Sequence, residues 1–271
     1  MSHSSYALIT GASMGIGAAL AKECARLNRN LILVSLPGEG LPEKSAALSK
    51  EFEIVADYFE TDLCEERNIE ALFQFVESKK IGIGLLINNA GIGSVGEFEH
   101  FSPQFYSRQV KLNSLAPVLL TLFFLPLLQA EHQAYILNVS SLGSFFNIPN
   151  KEVYCASKSF VYSFSNALRA SLYDTNISVS VVCPGPVDTN ERLLKAHRSM
   201  KGLAKMAVMS PEAVAQYTML SVLRKRRVIV PGKLNRISLL LNRLVPHPLK
   251  RILILREMKR QASLAAGHGI D

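Results

Sequence analysis

Tyr6-Ala7-Leu8-Ile9-Thr10-Gly11-Ala12-Ser13-Met14-Gly15-Ile16-Gly17 decides the architecture of this chain. The first residues are a short apolar run that reads as a strand. After Gly17 the residues turn to alanine and leucine, and the pattern predicts a helix over 18–28. Gly11, Gly15 and Gly17 lie where strand becomes helix. Bare backbone at that point leaves free N–H groups at a helix N-terminus, where an anionic phosphate can approach with no Cβ in the way. The spacing is G-x-x-x-G-x-G, not the general G-x-G-x-x-G. A lone glycine triplet is often only a turn. Placed between a first strand and a first helix, it reads as a dinucleotide cradle.

Outward from this stretch, apolar runs alternate with helical ones. Strands are predicted at 6–10, 31–35, 54–58, 85–88, 135–140, 179–183 and 228–230. Helices are predicted between them, ending near 52, over 65–79, from 103 toward 130 with an interruption at Pro117, and over 152–173. Near-continuous apolar strands separated by helices imply a parallel sheet covered on both faces. The expectation is an α/β, doubly wound Rossmann-type sheet of about seven strands. No linker divides the chain, so 1–232 is read as the catalytic domain and 233–271 as a basic extension of it.

The 271 residues are 48% hydrophobic and 19% charged, a globular composition with room for a large core. The four cysteines (Cys24, Cys64, Cys155, Cys183) are scattered, without a CxxC. That favours reduced, buried thiols and a cytoplasmic protein over disulfides or a metal. The histidines lack ligand spacing, and no metal is expected. Nothing at the start reads as a signal peptide. The uncharged stretch 112–130 approaches bilayer-spanning length, but it contains Asn113, Pro117 and Pro126, and is read as a helix buried against the sheet.

Charge is divided unevenly. Residues 221–271 hold twelve Lys and Arg against Glu257 and Asp271, a net +10, while the other 220 residues hold 18 basic and 20 acidic, a net −2. The basic tail is rich in leucine and isoleucine but has no aromatic residue, which argues against nucleic acid. A helical cap, a cover for the substrate pocket and a peripheral membrane contact are the three readings of it.

Further on, Tyr154 and Lys158 are four residues apart on a predicted helix and share a face. Ser141 precedes the tyrosine by thirteen and ends the fifth strand; Ser140 is its rival. A phenol is a poor base at neutral pH, with an ordinary pKa of ~10; bringing it to ~7 takes about 4 kcal/mol. A neighbouring ammonium supplies stabilisation of that sign. Tyr154 would then exchange a proton with a carbonyl or alcohol oxygen, and Ser141 would bond the same oxygen. The commoner meaning of Tyr-x-x-x-Lys, a surface pair, is set aside by its company.

Taken together, these motifs resemble the short-chain dehydrogenase/reductases over nearly everything from residue 6 to 189. The resemblance implies an NAD(P)-dependent oxidoreductase acting on a carbonyl or secondary alcohol. It implies Asn113, Ser141, Tyr154 and Lys158 as the catalytic set, with Asn113 holding a water in a proton relay and Lys158 also bonding the nicotinamide ribose. For the cofactor it implies Gly11, Ser13, Gly15, Ile16 and Gly17 around the pyrophosphate, and Asp62 and Leu63 at the adenine. Asn89, Ala90 and Gly91 follow the fourth strand, and Pro184, Gly185, Val187 and Thr189 follow the sixth. An acid at the end of the second strand would favour NAD. Ser35 and Leu36 stand there instead, and Glu39 reads as a solvated turn residue. The missing acid leans toward NADP, with Ser35 donating to a phosphate oxygen.

The segment after Thr189 is expected to cover the substrate and carries Leu193, Leu194, Leu203, Met206, Val208 and Met209; with Phe145 and Phe146 it implies an apolar substrate. A homodimer through the helices at 112–130 and 152–173 is expected. A catalytically silent nucleotide-binding scaffold and a sugar-nucleotide epimerase are the competing classes. The intact tetrad opposes the first, and the absence of a larger C-terminal substrate domain opposes the second.

Overall fold

In this computed structural model, residues 5–189, 194 and 205–244 are described. Seven strands form one parallel sheet: β1 (Tyr6–Thr10), β2 (Leu31–Ser35), β3 (Ala56–Glu60), β4 (Ile83–Asn88), β5 (Ala134–Val139), β6 (Ile177–Val182) and β7 (Val228–Ile229). Their order is β3-β2-β1-β4-β5-β6-β7. Strands β2, β4, β5 and β6 are buried along their whole length, as a sheet covered on both faces requires. Edge strand β3 is only partly buried. It starts two residues later than expected, because Glu53 ends the preceding helix in the left-handed region (φ 53°) and the chain needs residues 54 and 55 to reach the sheet.

The helices are α1 (Gly15–Arg26), α2 (Leu41–Phe52), α3 (Glu66–Ser78), α4 (Pro103–Val110), α5 (Ala116–Gln129), α6 (Glu152–Ser171), α7 (Pro211–Leu223) and α8 (Lys233–Leu244). On one face of the sheet, Leu20 and Cys24 of α1 and Met219 and Val222 of α7 pack on Ile9, Leu31 and Leu33. On the other, Ile69 and Leu72 of α3 and Leu120, Phe124 and Leu128 of α5 pack on Leu8, Ile32, Leu86 and Ile136. Each such aliphatic or aromatic side chain contributes about 1.5–3 kcal/mol by leaving water. Helix α7 was not expected; Ser210 caps it by accepting from Ala213 N at 3.2 Å.

The run 103–129 is long and apolar enough to span a bilayer. One side of it is core, with Ala116, Leu120, Phe124 and Leu128 buried. It is also not one regular helix. Residues Lys111–Leu115 form a single wide π turn between α4 and α5. Pro117 explains it. A proline lacks the N–H that the carbonyl four residues earlier, that of Asn113, would use, and its ring clashes with that carbonyl. The expected interruption is therefore present, shifted one turn toward the N-terminus.

The sheet order reverses between β1 and β4, and a crevice opens there at the strands' C-terminal ends, the place where ligands bind in such sheets.

Candidate active site

The crevice is framed by backbone. Gly11 and Gly15 have φ of 63° and 56°, a region that disfavours any Cβ. At Gly17 an added Cβ would lie 2.0 Å from the Gly11 carbonyl oxygen. Asn89 holds the turn from across the switch point: its Nδ2 donates to the Thr10 and Gly11 carbonyls at 2.9 and 3.1 Å. The Thr10 hydroxyl in turn accepts from Asn89 N and Ala90 N at 3.0 and 3.1 Å. The glycine loop and the start of the β4 loop are thus one clamped unit. A Cβ at Gly11 would strike Ala90 and Asn89, and one at Gly15 would strike Thr189, so the turn closes this tightly only on bare backbone, which fits a pyrophosphate at the start of α1.

Two adjoining cavities occupy the crevice. The first, about 350 Å³, is lined by the glycine loop with Met14, by Ser13, Ser35, Asp62 and Leu63, by Glu39, which the sequence pattern places in solvent, and by Arg108 and Leu112, which sequence reasoning missed. The second, about 560 Å³, contains Ser141, Tyr154, Lys158, Pro184, Gly185 and Val187. Ile16, Asn89, Gly91, Ile92 and Thr189 line both, so the cavities share a wall. Ala90 lines the first alone. Phe146 lines the second with Ile92, Val95, Leu142 and Ile148, an apolar wall beside Lys151. Phe145 packs instead on Tyr162, ring centroids 4.7 Å apart. Leu193 and Leu203 lie outside the described residues. Met209 adjoins Val187 through a parallel bridge, while Met206 is exposed.

At the adenosine end of the crevice the polar side chains already have partners. The Ser35 hydroxyl donates to the Leu36 carbonyl at 3.2 Å, so its proton does not face a phosphate. Glu39 is half-buried rather than solvated, and its Oε2 accepts a 2.5 Å hydrogen bond from Ser13. Asp62 is already engaged: Oδ1 accepts from Cys64 N at 3.0 Å, and Oδ2 pairs with Arg108 at 3.0 Å. Burial works to raise the pKa of that carboxyl, but the bonds from Cys64 and the Arg108 guanidinium outweigh it and bring it below the ordinary value.

In the second cavity Ser141 and Tyr154 share a wall, and the serine hydroxyl acts to lower the pKa of the phenol. Ser141 Oγ also accepts from Gly143 N at 3.0 Å, which fixes it at the mouth of the short 3₁₀ turn Leu142–Phe145. Its rival Ser140 is buried and donates to the Lys158 carbonyl at 2.7 Å, so it is turned away. Lys158 is buried and its Nζ donates to the Val139 carbonyl at 2.9 Å. Burial brings its pKa down to about 8. The Tyr154 phenol is pushed above its ordinary value by burial, against a lowering by the Ser141 hydroxyl. The net direction for the phenol in this structure is therefore upward, not the expected lowering toward neutrality.

Asn113 lines neither cavity. It is buried in the π turn behind Ile92. Oδ1 accepts from Ile92 N and Nδ2 donates to Ile92 O, each at 2.9 Å, and Nδ2 also reaches Ser157 Oγ at 3.0 Å. Its side chain is therefore committed to holding the β4 loop, and the water-holding role expected of it can fall only to its backbone carbonyl.

A single fold family accounts for this arrangement. Residues 5–198 match the short chain dehydrogenase family. The chain belongs to the short-chain dehydrogenases. It is 32% identical over 212 residues to the uncharacterized oxidoreductase DltE of Bacillus subtilis, covering 78% of this chain and 81% of that protein. The bulky-bulky ketone specific alcohol dehydrogenase from Comamonas testosteroni superposes with a TM-score of 0.75 at 27% identity, over 100% of this chain and 96% of the other. A short-chain dehydrogenase from Sphingobium yanoikuyae, solved in complex with NADPH, does so with a TM-score of 0.74 at 25% identity, over 98% and 96%. The short-chain dehydrogenase is therefore an NAD(P)-dependent oxidoreductase in class.

Proposed function

We propose that this short-chain dehydrogenase interconverts a ketone and a secondary alcohol on an apolar substrate, with Tyr154 as the proton-transfer group. The observation that carries this reading is the Ser141–Tyr154 pair, with Lys158, in an apolar cavity that shares a wall with the glycine cradle. A bound nicotinamide supplies or accepts the hydride. Tyr154 gives its proton to the substrate oxygen or removes it, and Ser141 bonds the same oxygen and holds it in line. A phenol held above its ordinary pKa keeps its proton, which suits the donor's part in carbonyl reduction. Lys158, at about 8, is the group in the cavity that titrates nearest neutrality; charged, it favours the phenolate needed for alcohol oxidation. The proton lost by Tyr154 is replaced through Lys158 and a water on the Asn113 carbonyl, which Pro117 leaves without its usual helical partner. The wall of Ile92, Val95, Leu142, Phe146 and Ile148 receives the hydrophobic body of the substrate.

For the whole protein we propose a cytoplasmic homodimer. All four cysteines are free thiols and buried, as a reducing compartment allows. Leu115 and Leu122 of the α5 region and Phe160 of α6 are exposed apolar side chains suited to a partner subunit.

The test compares the parent with Tyr154→Phe on a panel of ketones and alcohols. General acid–base catalysis contributes about 10²- to 10⁴-fold, so kcat should fall by that order while dinucleotide affinity holds. Turnover by the phenylalanine variant at the parent's rate would remove Tyr154 from the mechanism.

A further inference from the structure

Helix α8 is held on one side and free on the other. Asn235 is buried and donates to the carbonyls of Ala207 and Pro231 at 3.3 and 3.0 Å. Leu239 packs on Val181, Cys183 and Val230. Asn242 donates to the Phe145 carbonyl at 2.9 Å. The opposite side begins with Lys233 and Arg236 and continues with Ile237, Leu240 and Leu241, at helical spacing. Those three apolar side chains are 51%, 59% and 54% exposed. Arg236 lies over the Tyr217 ring at 5.2 Å, and Arg226 reaches the Tyr217 hydroxyl at 3.3 Å, which extends the cationic margin onto α7.

We propose that this outward face of α8 is a docking surface for an anionic lipid membrane. The chain's charge supports that occupant: residues 221–271 carry a net +10 and the rest a net −2. Residues 245–271 add Lys250, Arg251, Arg256, Lys259 and Arg260 amid leucine and isoleucine. Asn235, Leu239 and Asn242 hold one side of α8 against the domain, so in this proposal the helix lies on the surface and does not cross it. An apolar ridge beside a row of cations is what an anionic interface rewards.

The surface also adjoins the substrate cavity. Asn242 holds the backbone beside Phe146, and Asn235 fits against Gly185, where an added Cβ would come within 2.5 Å of its Oδ1. Both Phe146 and Gly185 line that cavity. Resting on the oxidoreductase reading, docking brings the apolar cavity to a lipid phase, and a membrane-dissolved ketone or alcohol becomes the substrate class.

The chain contains no tryptophan, so Leu240→Trp installs a single reporter. On vesicles of phosphatidylcholine mixed with phosphatidylglycerol its emission should shift to the blue and be quenched by brominated lipid. Phosphatidylcholine alone, or high salt, should reduce both effects. In co-sedimentation, Ile237→Ser with Leu240→Ser and Leu241→Ser should lower affinity for the mixed vesicles about tenfold per side chain. Circular dichroism and NAD(P)H binding check that this variant is folded. No partition of the parent onto mixed vesicles overturns the proposal, as does parental affinity in the triple variant. Loss of self-association in that variant, with vesicle binding retained, would assign the face to a second copy. Reduction of a water-soluble ketone needs no membrane, so its absence would count against the oxidoreductase reading alone.

Discussion

Glu39 lies 22 residues beyond Gly17, and its carboxylate accepts the Ser13 hydroxyl at 2.5 Å inside the adenosine cavity. Lys44 donates to the Glu39 main-chain carbonyl at 3.1 Å, but it is exposed and does not line the cavity. Arg108 is paired with Asp62. A ribose diol could bond such a carboxylate, whereas a 2′-phosphate would be repelled. Two unit charges about 6 Å apart repel by roughly 3 kcal/mol at an effective dielectric of ~20. Partial exposure and salt bring this nearer the ~1.4 kcal/mol of a tenfold effect. Glu39→Gln keeps the shape and removes the charge. The ratio of NADPH to NADH affinity, read by dinucleotide fluorescence, should rise about tenfold; an unchanged ratio would free Glu39 of any part in the choice. Lys158 makes a prediction about pH. Its folded pKa, about 8, lies below the ordinary 10.5, so the unfolded chain binds the extra proton between those values. Stability then rises with pH through that window, and the buried ammonium destabilises the fold in full below it. Burial also raises the thiols of Cys24 and Cys183 to about 12, which acts in the opposite sense above their ordinary value of 9.0. Comparison with Lys158→Met largely cancels that contribution. Denaturant melts should show the parent gaining on the variant from about pH 8 upward; a gap independent of pH would contradict the burial of a titrating amine.

At the scale of elements, legibility follows the kind of information each element carries. The strands were readable because a doubly covered sheet demands uninterrupted apolar runs, and 31–35 needed no shift at all. Strand β3 was misplaced by two residues because its alternating, half-buried residues Ala56–Glu60 give a weaker signal than apolar Ile54 before them. Helix α7 escaped notice although Ser210-Pro211-Glu212 is a readable start, a capping serine followed by proline and an acid. Its exposed side mixes Ala213 and Leu220 with Glu212 and Gln216, and its buried side mixes Thr218 and Ser221 with Val214, Ala215, Met219 and Val222, so no polar stripe marks a helical period. Asn113 shows the opposite limit. Its place in the sequence was plain, but that its amide clamps both backbone groups of Ile92 depends on a π turn, and a π turn is a tertiary compromise around Pro117. The Ser13–Glu39 bond joins residues 26 apart across a turn with a left-handed Gly38, and no local pattern announces it.

At the scale of the whole molecule, two of the surfaces that leave apolar side chains in water bear on partners. One is the outer side of α8. The other comprises Leu115 and Leu122, seven residues and two turns apart, with Phe160 on neighbouring α6, where Phe160 and Phe164 stack at 6.3 Å. This second surface has no matching run of cations: α5 carries no charged residue at all. Uncharged, aromatic and aliphatic, it suits a second copy of the same helices better than a lipid headgroup. Its location also bears on catalysis, because α6 carries Tyr154 and Lys158, and the π turn beside it carries Asn113. A partner pressed on these helices would stiffen the proton-transfer groups without touching the substrate. Leu122→Glu with Phe160→Glu places two carboxylates on that surface, which in a symmetric dimer become four in close approach. Sedimentation should find the parent as a dimer and the variant as a monomer, with vesicle binding through α8 retained. Because the replaced side chains are already exposed, the fold should survive, and any fall in kcat would then measure what the partner contributes to Tyr154. A variant that stays dimeric would move the subunit contact elsewhere, and a variant that loses vesicle binding as well would mean that the two surfaces act as one.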